Sequence, residues 1–129
     1  MWPRVDGMRS LELGAPGELR EELNALVLSG AKTTTTGLLE DYVQESEGLE
    51  FVGERLAVLD DDGRSIATVE ITAVEVTDFA EVTWEHADGE GEGFTTLADW
   101  RAAHHRYWDD LGAAVRDDTR VVCLTFRLV

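Results

Sequence analysis

Residues 66–76 read IATVEITAVEV, and their alternation of apolar and polar side chains predicts a β-strand. Val69, Ile71 and Ala73 share one face of this strand, but Val74 and Val76 fall on the opposite face. Such a change of phase within one strand indicates a bulge or a sharp bend. Because bent strands are what curved and closed sheets require, the segment favours a barrel-like sheet.

The sequence on either side of this strand supplies the other elements. A strand over residues 54–59 leads into the turn signal Asp60-Asp61-Asp62-Gly63, and a second strand covers residues 119–129. One helix begins near Pro16 and stops at Gly30, and a second is capped by Thr96. The order of helix, strands, helix and strand predicts an α+β fold in which a mixed, mainly antiparallel β-barrel is flanked by two main helices.

Composition limits the class of protein. The 129 residues predict one domain over residues 1–129, with residues 1–14 forming a loosely ordered N-terminal segment. The chain has no run that predicts a membrane span or signal peptide, and its single cysteine, Cys123, fits a reducing compartment, so we expect a cytoplasmic protein. The net charge of −16 argues against long-range, non-specific binding of nucleic acid. It leaves open a local basic cleft or a small nucleoside ligand.

The segment SGAKTTTT, residues 29–36, is the first candidate site. In a loop or short extended segment after a helix, Lys32 and Thr35 can face one cleft, where a desolvated lysine acts as a base and a threonine as a nucleophile. The alternative is a solvated lysine beside threonines that are ordinary loop or strand formers. The segment is not a phosphate-binding P-loop, because Leu26 and Ala31 stand where that motif needs glycines.

The segment HADGEGEG, residues 86–93, is the second candidate site, and we expect a loop there. Its glycines let the backbone approach a ligand while Glu90 or Glu92 projects a carboxylate toward it. The alternative is a flexible acidic surface loop. The spacing of its acidic residues and His86 matches neither an EF-hand nor a zinc site, so we predict no metal and no cofactor.

The second long helix carries an apolar stripe that includes Trp100, His104, Tyr107 and Trp108. The spacing favours core packing, with Trp100 as the most buried member, although the aromatic rings could instead stack on a base. His104 lies on the same stripe, either as a hydrogen-bonded core histidine or as a base in the cleft.

Several segments together resemble the ASCH family. They are Gly30–Thr33, Gly53–Asp60, Glu90–Gly93, Leu97–Arg101 and Val121–Arg127. The resemblance implies a PUA-like barrel whose cleft binds a nucleoside or RNA. One small bacterial branch of the family hydrolyses N4-acetylcytidine with a lysine, a threonine three residues later and a glutamate of the acidic loop. On this chain the resemblance implies catalytic roles for Lys32, Thr35 and Glu92, with Glu90 as the second choice for the carboxylate.

The chain also departs from that branch. Gly37 and Leu38 lie where the branch has an arginine, and residues 44–49 are additional. Three functions therefore stay open, namely an amidohydrolase of an acylated nucleoside, a ribonuclease, and a non-catalytic RNA- or nucleotide-binding module. The expected partner is a nucleoside or a short single-stranded RNA.

The expected substrate-binding residues are Thr33, Glu90, Arg101 and His104. The two RNA hypotheses also need a local basic patch. The side chains available to build it are Arg4, Arg9, Arg20, Lys32, Arg101 and Arg106.

Overall fold

The computed structural model describes all 129 residues. It has six β-strands, which are β1 (Arg4–Val5), β2 (Met8–Leu11), β3 (Thr34–Leu38), β4 (Arg55–Leu59), β5 (Ser65–Asp78) and β6 (Arg120–Leu128). Its four α-helices are α1 (Glu18–Ser29), α2 (Leu39–Gln44), α3 (Trp84–Gly89) and α4 (Leu97–Asp110). The α+β class and the two long helices, α1 and α4, agree with the prediction from sequence.

The six strands form one sheet in the order β1-β2-β4-β5-β6-β3. All neighbouring strands are antiparallel except β2 and β4, which are parallel, so the sheet is mixed and mainly antiparallel. The edge strands β1 and β3 do not pair with each other, and the sheet therefore stays open. The closed barrel that we predicted is not confirmed.

The long strand β5 contains the predicted irregularity. Ile71 pairs with Phe126 and Ala73 pairs with Thr125, so Thr72 is an extra residue in the ladder. This bulge reverses the alternation of side chains beyond it. Val74 and Val76 consequently pack against the same core cluster as Ile71, which explains the change of phase in the sequence.

Two apolar clusters form the core. The first lies between the sheet and α1 and includes Leu23, Val27, Val69 and Leu124. The second lies beside α4 and includes Phe79, Trp100, Trp108 and Cys123. Cys123 is a buried free thiol whose pKa burial raises to about 12, so it is an unreactive packing residue. None of the helices has the length and apolar composition that crossing a membrane requires.

Two segments differ from the prediction. The expected acidic loop begins as the helix α3, because the side chain of Thr83 accepts a hydrogen bond from the backbone N–H of His86 and caps its first turn. Residues 1–14, which we expected to be loosely ordered, contain β1 and β2. They are held there because β2 pairs with β4 and the Arg4 guanidinium binds Glu47.

Candidate functional site

A cavity of about 600 Å³ lies where the open edge of β3 faces α1 and α4. This volume falls within the roughly 300–1,000 Å³ that is typical of small-molecule sites. One part of its wall is apolar, with Leu19, Leu23 and Leu124. Another part is strongly polar, and its members are Lys32, Thr35, Thr36, Glu90, Glu92 and His104.

Glu90 is the centre of the polar wall. Its side chain is 3% exposed, and one carboxylate oxygen accepts a hydrogen bond from Lys32 Nζ at 3.2 Å. The other oxygen faces His104 Nε2 at 3.2 Å and accepts a short hydrogen bond from Trp100 Nε1. Burial opposes the charge of Glu90, but the partners His104 and Lys32 outweigh it and lower the pKa to about 2. Glu90 is therefore an ionised carboxylate fully occupied with donors.

His104 makes two contacts that together define its protonation. Its Nδ1 lies 2.9 Å from the backbone oxygen of Trp100, which can only accept, so Nδ1 carries a hydrogen. Its Nε2 faces the ionised Glu90, which also only accepts. Burial lowers the pKa of His104, but the hydrogen bond and charge of Glu90 overcome burial and raise it. We infer that His104 is an imidazolium that donates from both nitrogens.

The strand β3 distributes the threonines between two faces of the sheet. Thr36 pairs with Cys123 of the second cluster, and its Oγ1 lies 2.8 Å from His86 Nε2 and 3.4 Å from Glu90. Thr35 pairs with Leu124 of the first cluster, on the other face. Its hydroxyl lines the cavity but has no hydrogen-bond partner in the protein. Alternation along a strand thus brings Thr36, and not Thr35, to the carboxylate.

Glu92 lies at the cavity mouth, where its side chain is exposed. Partial desolvation, followed by the nearby charge of Glu90, raises its pKa. Oxygen or nitrogen atoms of Glu90, Glu92 and His104 lie within 4.8 Å of one another, a grouping that could hold a metal ion. However, His104 Nε2 already donates to Glu90 and the Lys32 ammonium occupies its other oxygen, so these residues do not fit a metal site.

The structure brings together most of the site residues predicted from sequence. Lys32, Glu90 and His104 are in direct contact, and Thr35 and Glu92 line the same cavity. Thr33 and Arg101 do not line this cavity, and their binding roles stay predictions. The exposed Thr33 hydroxyl donates to the backbone oxygen of Gly89, and the Arg101 guanidinium donates to that of Ala80.

The site contains two residues, and one role of a third, that the sequence did not predict. Thr36 and His86 were not predicted, and Trp100 was predicted as a core residue without its hydrogen bond to Glu90. The signal for Thr36 was the period of two along a strand, which places it on the side of Lys32 and Thr34. That signal was not used because residues 31–37 were interpreted as a loop or a short extended segment, with no strand register assigned.

Comparison with known proteins agrees with this fold. The family model of the ASCH domain matches residues 10–129. The chain belongs to the ASCH family. ASCH domains have a PUA-like fold, a class associated with RNA binding, which supports a nucleic-acid-related module. Among curated proteins, no sequence matches the chain.

Solved structures similar to this ASCH domain come from several bacteria. A protein from Enterococcus faecalis is 29% identical with a TM-score of 0.80, and the match covers 92% of this chain and 74% of that one. An ASCH domain from Lactobacillus crispatus is 29% identical with a TM-score of 0.78, covering 94% and 80% of the two chains. An ASCH protein from Zymomonas mobilis, 14% identical with a TM-score of 0.53, covers 83% and 63% and shares the fold alone.

Proposed function

We propose that this ASCH domain binds an acylated nucleoside, such as an N4-acylated cytidine, and hydrolyses its amide bond. The observation that carries this proposal is the buried cluster of Lys32, Glu90 and His104 on the wall of a 600 Å³ cavity. A buried ionic cluster in a concave site, in which the pKa of Glu90 is lowered and that of His104 is raised, is a typical mark of catalysis.

The cluster supplies positive charge for the reaction. Lys32 and His104 together carry two positive charges and Glu90 carries one negative charge, so these three groups have one net positive charge on this part of the cavity wall. Such a fixed charge stabilises the oxyanion that develops when a nucleophile attacks the acyl carbonyl. Lys32 donates to Glu90, and a donating ammonium has no lone pair with which to accept a proton. Its role in the proposal is therefore electrostatic rather than that of a base.

Two further groups complete the proposed chemistry. A threonine hydroxyl of β3 provides the nucleophile, since Thr35 and Thr36 both line the cavity. Glu92, whose pKa is raised at the cavity mouth, is suited to orient the nucleoside by hydrogen bonding to its base.

The distribution of charge favours a small neutral substrate over RNA. Most of the basic side chains considered for an RNA-binding patch have protein partners. Arg4 pairs with Glu47, Arg9 with Glu50 and Glu54, Arg20 with Glu12 and Asp61, Lys32 with Glu90, and Arg101 with a backbone oxygen. With a net charge of −16, few cations remain for phosphates, so the ribonuclease and RNA-binding alternatives have weaker support.

The proposal is tested by incubating the purified protein with N4-acetylcytidine and detecting cytidine and acetate by mass spectrometry. We expect turnover in the wild type and a loss of about 10²-fold or more in Lys32→Met and His104→Asn. The exposed Asp110→Asn variant on α4 is the control, and each variant is checked for folding by circular dichroism. Binding of the nucleoside without turnover would indicate a non-catalytic module, and cleavage of short RNA instead would contradict the proposal.

A further inference from the structure

We infer that Thr36 is the nucleophile of this site and that His86 is its general base. The inference rests on the proposed amide hydrolysis and names residues that the family resemblance does not. The Thr36 hydroxyl and the His86 imidazole are in direct contact, with Thr36 Oγ1 2.8 Å from His86 Nε2. A nucleophile within hydrogen-bond reach of a base is the arrangement that activates serine and threonine.

The position of the hydroxyl proton follows from distances. Thr36 Oγ1 lies 3.4 Å from Glu90, which is beyond the normal length of an O–H···O hydrogen bond of about 2.5–3.0 Å. Glu90 is also already bound by Lys32, His104 and Trp100. The shorter contact to His86 is therefore the one in which Thr36 donates, with Nε2 as the acceptor.

His86 must be neutral to accept this proton. Its ring is partly buried on α3, and burial is the main cause that lowers its pKa. The charged or titratable groups that face it from other parts of the chain are Glu90, Lys32, Glu75 and His104. Because these charges have opposite signs, their effects on the pKa of His86 partly cancel and burial dominates. The neutral imidazole, with its hydrogen on Nδ1, is therefore the form that accepts the hydrogen bond from Thr36.

Thr35 lacks this environment. It lies on the opposite face of β3 beside Leu124, and no protein group receives its hydroxyl proton. A hydroxyl without a base is a poor nucleophile near neutral pH. The threonine implied by the family resemblance is thus displaced by its neighbour on the strand.

The proposed reaction balances in two half-reactions. Thr36 Oγ1 bonds to the acyl carbon while its proton passes to His86 Nε2, and the resulting oxyanion is stabilised by the nearby positive charges of Lys32 and His104. The C–N bond then breaks, His86 returns the proton to the exocyclic nitrogen, and the free nucleoside leaves an ester on Thr36. Water attacks this ester, gives one proton to His86, and releases the acid as that proton returns to Oγ1.

The test uses p-nitrophenyl acetate, an activated ester that acylates nucleophiles without needing a nucleoside. After brief reaction and acid quench, tandem mass spectrometry locates the acetyl group. We expect an ester on Thr36 that disappears in Thr36→Val, persists in Thr36→Ser and forms at least about 10²-fold more slowly in His86→Gln. The matched Thr35→Val variant should still form the ester on Thr36. An ester on Thr35, an amide on Lys32 as the only product, or no adduct at all would overturn the inference.

The same variants separate the two proposals. If Thr36 is acetylated but N4-acetylcytidine is not hydrolysed, the nucleoside substrate is wrong and the nucleophile stands. If N4-acetylcytidine is hydrolysed and Thr36→Val retains wild-type turnover, the function stands and the nucleophile is wrong. A pH profile adds a readout that a structural role would not affect. In the wild type, the acylation rate should decrease as the pH drops below the pKa of His86, and this decrease should be absent in His86→Gln.

Discussion

Glu90 lies at the end of a short helix, yet each of its oxygens binds a donor from a different part of the chain. Removing one partner of such a buried group costs about 3–5 kcal/mol, because the remaining charges lose their compensation. A single carboxylate thus holds the two cations of the proposed site and links the site to the stability of the fold.

The lowered pKa of Glu90 predicts a pH dependence of stability. A carboxyl whose pKa is about 2 when folded and about 4.5 when unfolded stabilises the fold above pH 4.5 and loses that contribution as the pH falls toward 2. Urea unfolding from pH 7 to pH 2 should show a loss of about 3 kcal/mol that is absent in Glu90→Gln. Glu92→Gln is the control. Because the pKa of Glu92 is raised in the fold, its protonation stabilises the protein at low pH, so this variant should lose slightly more stability on acidification than the wild type. If the free energy of unfolding changed equally with pH in all three proteins, this assignment would be contradicted.

Gly91 brings the turn after α3 against the segment that carries Lys32. It has a φ of +73°, and a Cβ there would lie 2.5 Å from the backbone oxygen of Ala31. Gly93 has a similar φ of +83° but open space around it. Gly91→Ala should therefore destabilise the protein by about 1–3 kcal/mol more than Gly93→Ala, measured by thermal unfolding. Similar losses in both variants would show that backbone conformation alone matters at Gly91.

At the scale of elements, the bulge at Thr72 adds one residue to β5 and bends the strand. Deleting Thr72 would place Ala73 directly after Ile71 and keep it opposite Thr125, so Val74 and Val76 would still face the first cluster. We expect the deletion variant to unfold cooperatively with a loss of about 1–3 kcal/mol from the lost bend, whereas Thr72→Ala, at an exposed position, should change stability by less than about 0.5 kcal/mol. Loss of cooperative unfolding in the deletion variant, seen by calorimetry, would mean that the fold requires the bend itself.

At the scale of the whole molecule, the net charge of −16 sets the range of partners. A neutral nucleoside releases no counterions on binding, so its affinity should stay nearly constant between about 50 and 200 mM salt. A labelled single-stranded RNA should show no binding at about 150 mM salt in fluorescence anisotropy, because most cations near the surface already have acidic partners. Tight RNA binding that weakens steeply with salt would show that a basic surface forms in spite of this charge.

Local periodicity was enough to predict the two long helices, the bent strand β5 and the burial of Trp100, which is fully enclosed beside α4. These features depend on residues near one another in the chain, whose spacing is visible in the sequence. The residue types, together with the family resemblance, also pointed to Lys32 and to a carboxylate of the acidic segment, with Glu92 as the first choice and Glu90 as the second. In the structure it is Glu90 that contacts Lys32.

Only the tertiary structure decided how those residues meet. The sheet stays open because β1 and β3 are its two edge strands and do not pair with each other. A local sequence pattern does not predict which strands lie at the edges. The pairing of β3 with β6 places Thr36 beside His86, which lies 50 residues away in sequence, and turns Thr35 to the other face. Strand register depends on contacts between distant segments, and a shift of one residue exchanges the two faces. The sequence therefore determined the chemical groups available to this site, while long-range pairing selected which hydroxyl meets the base.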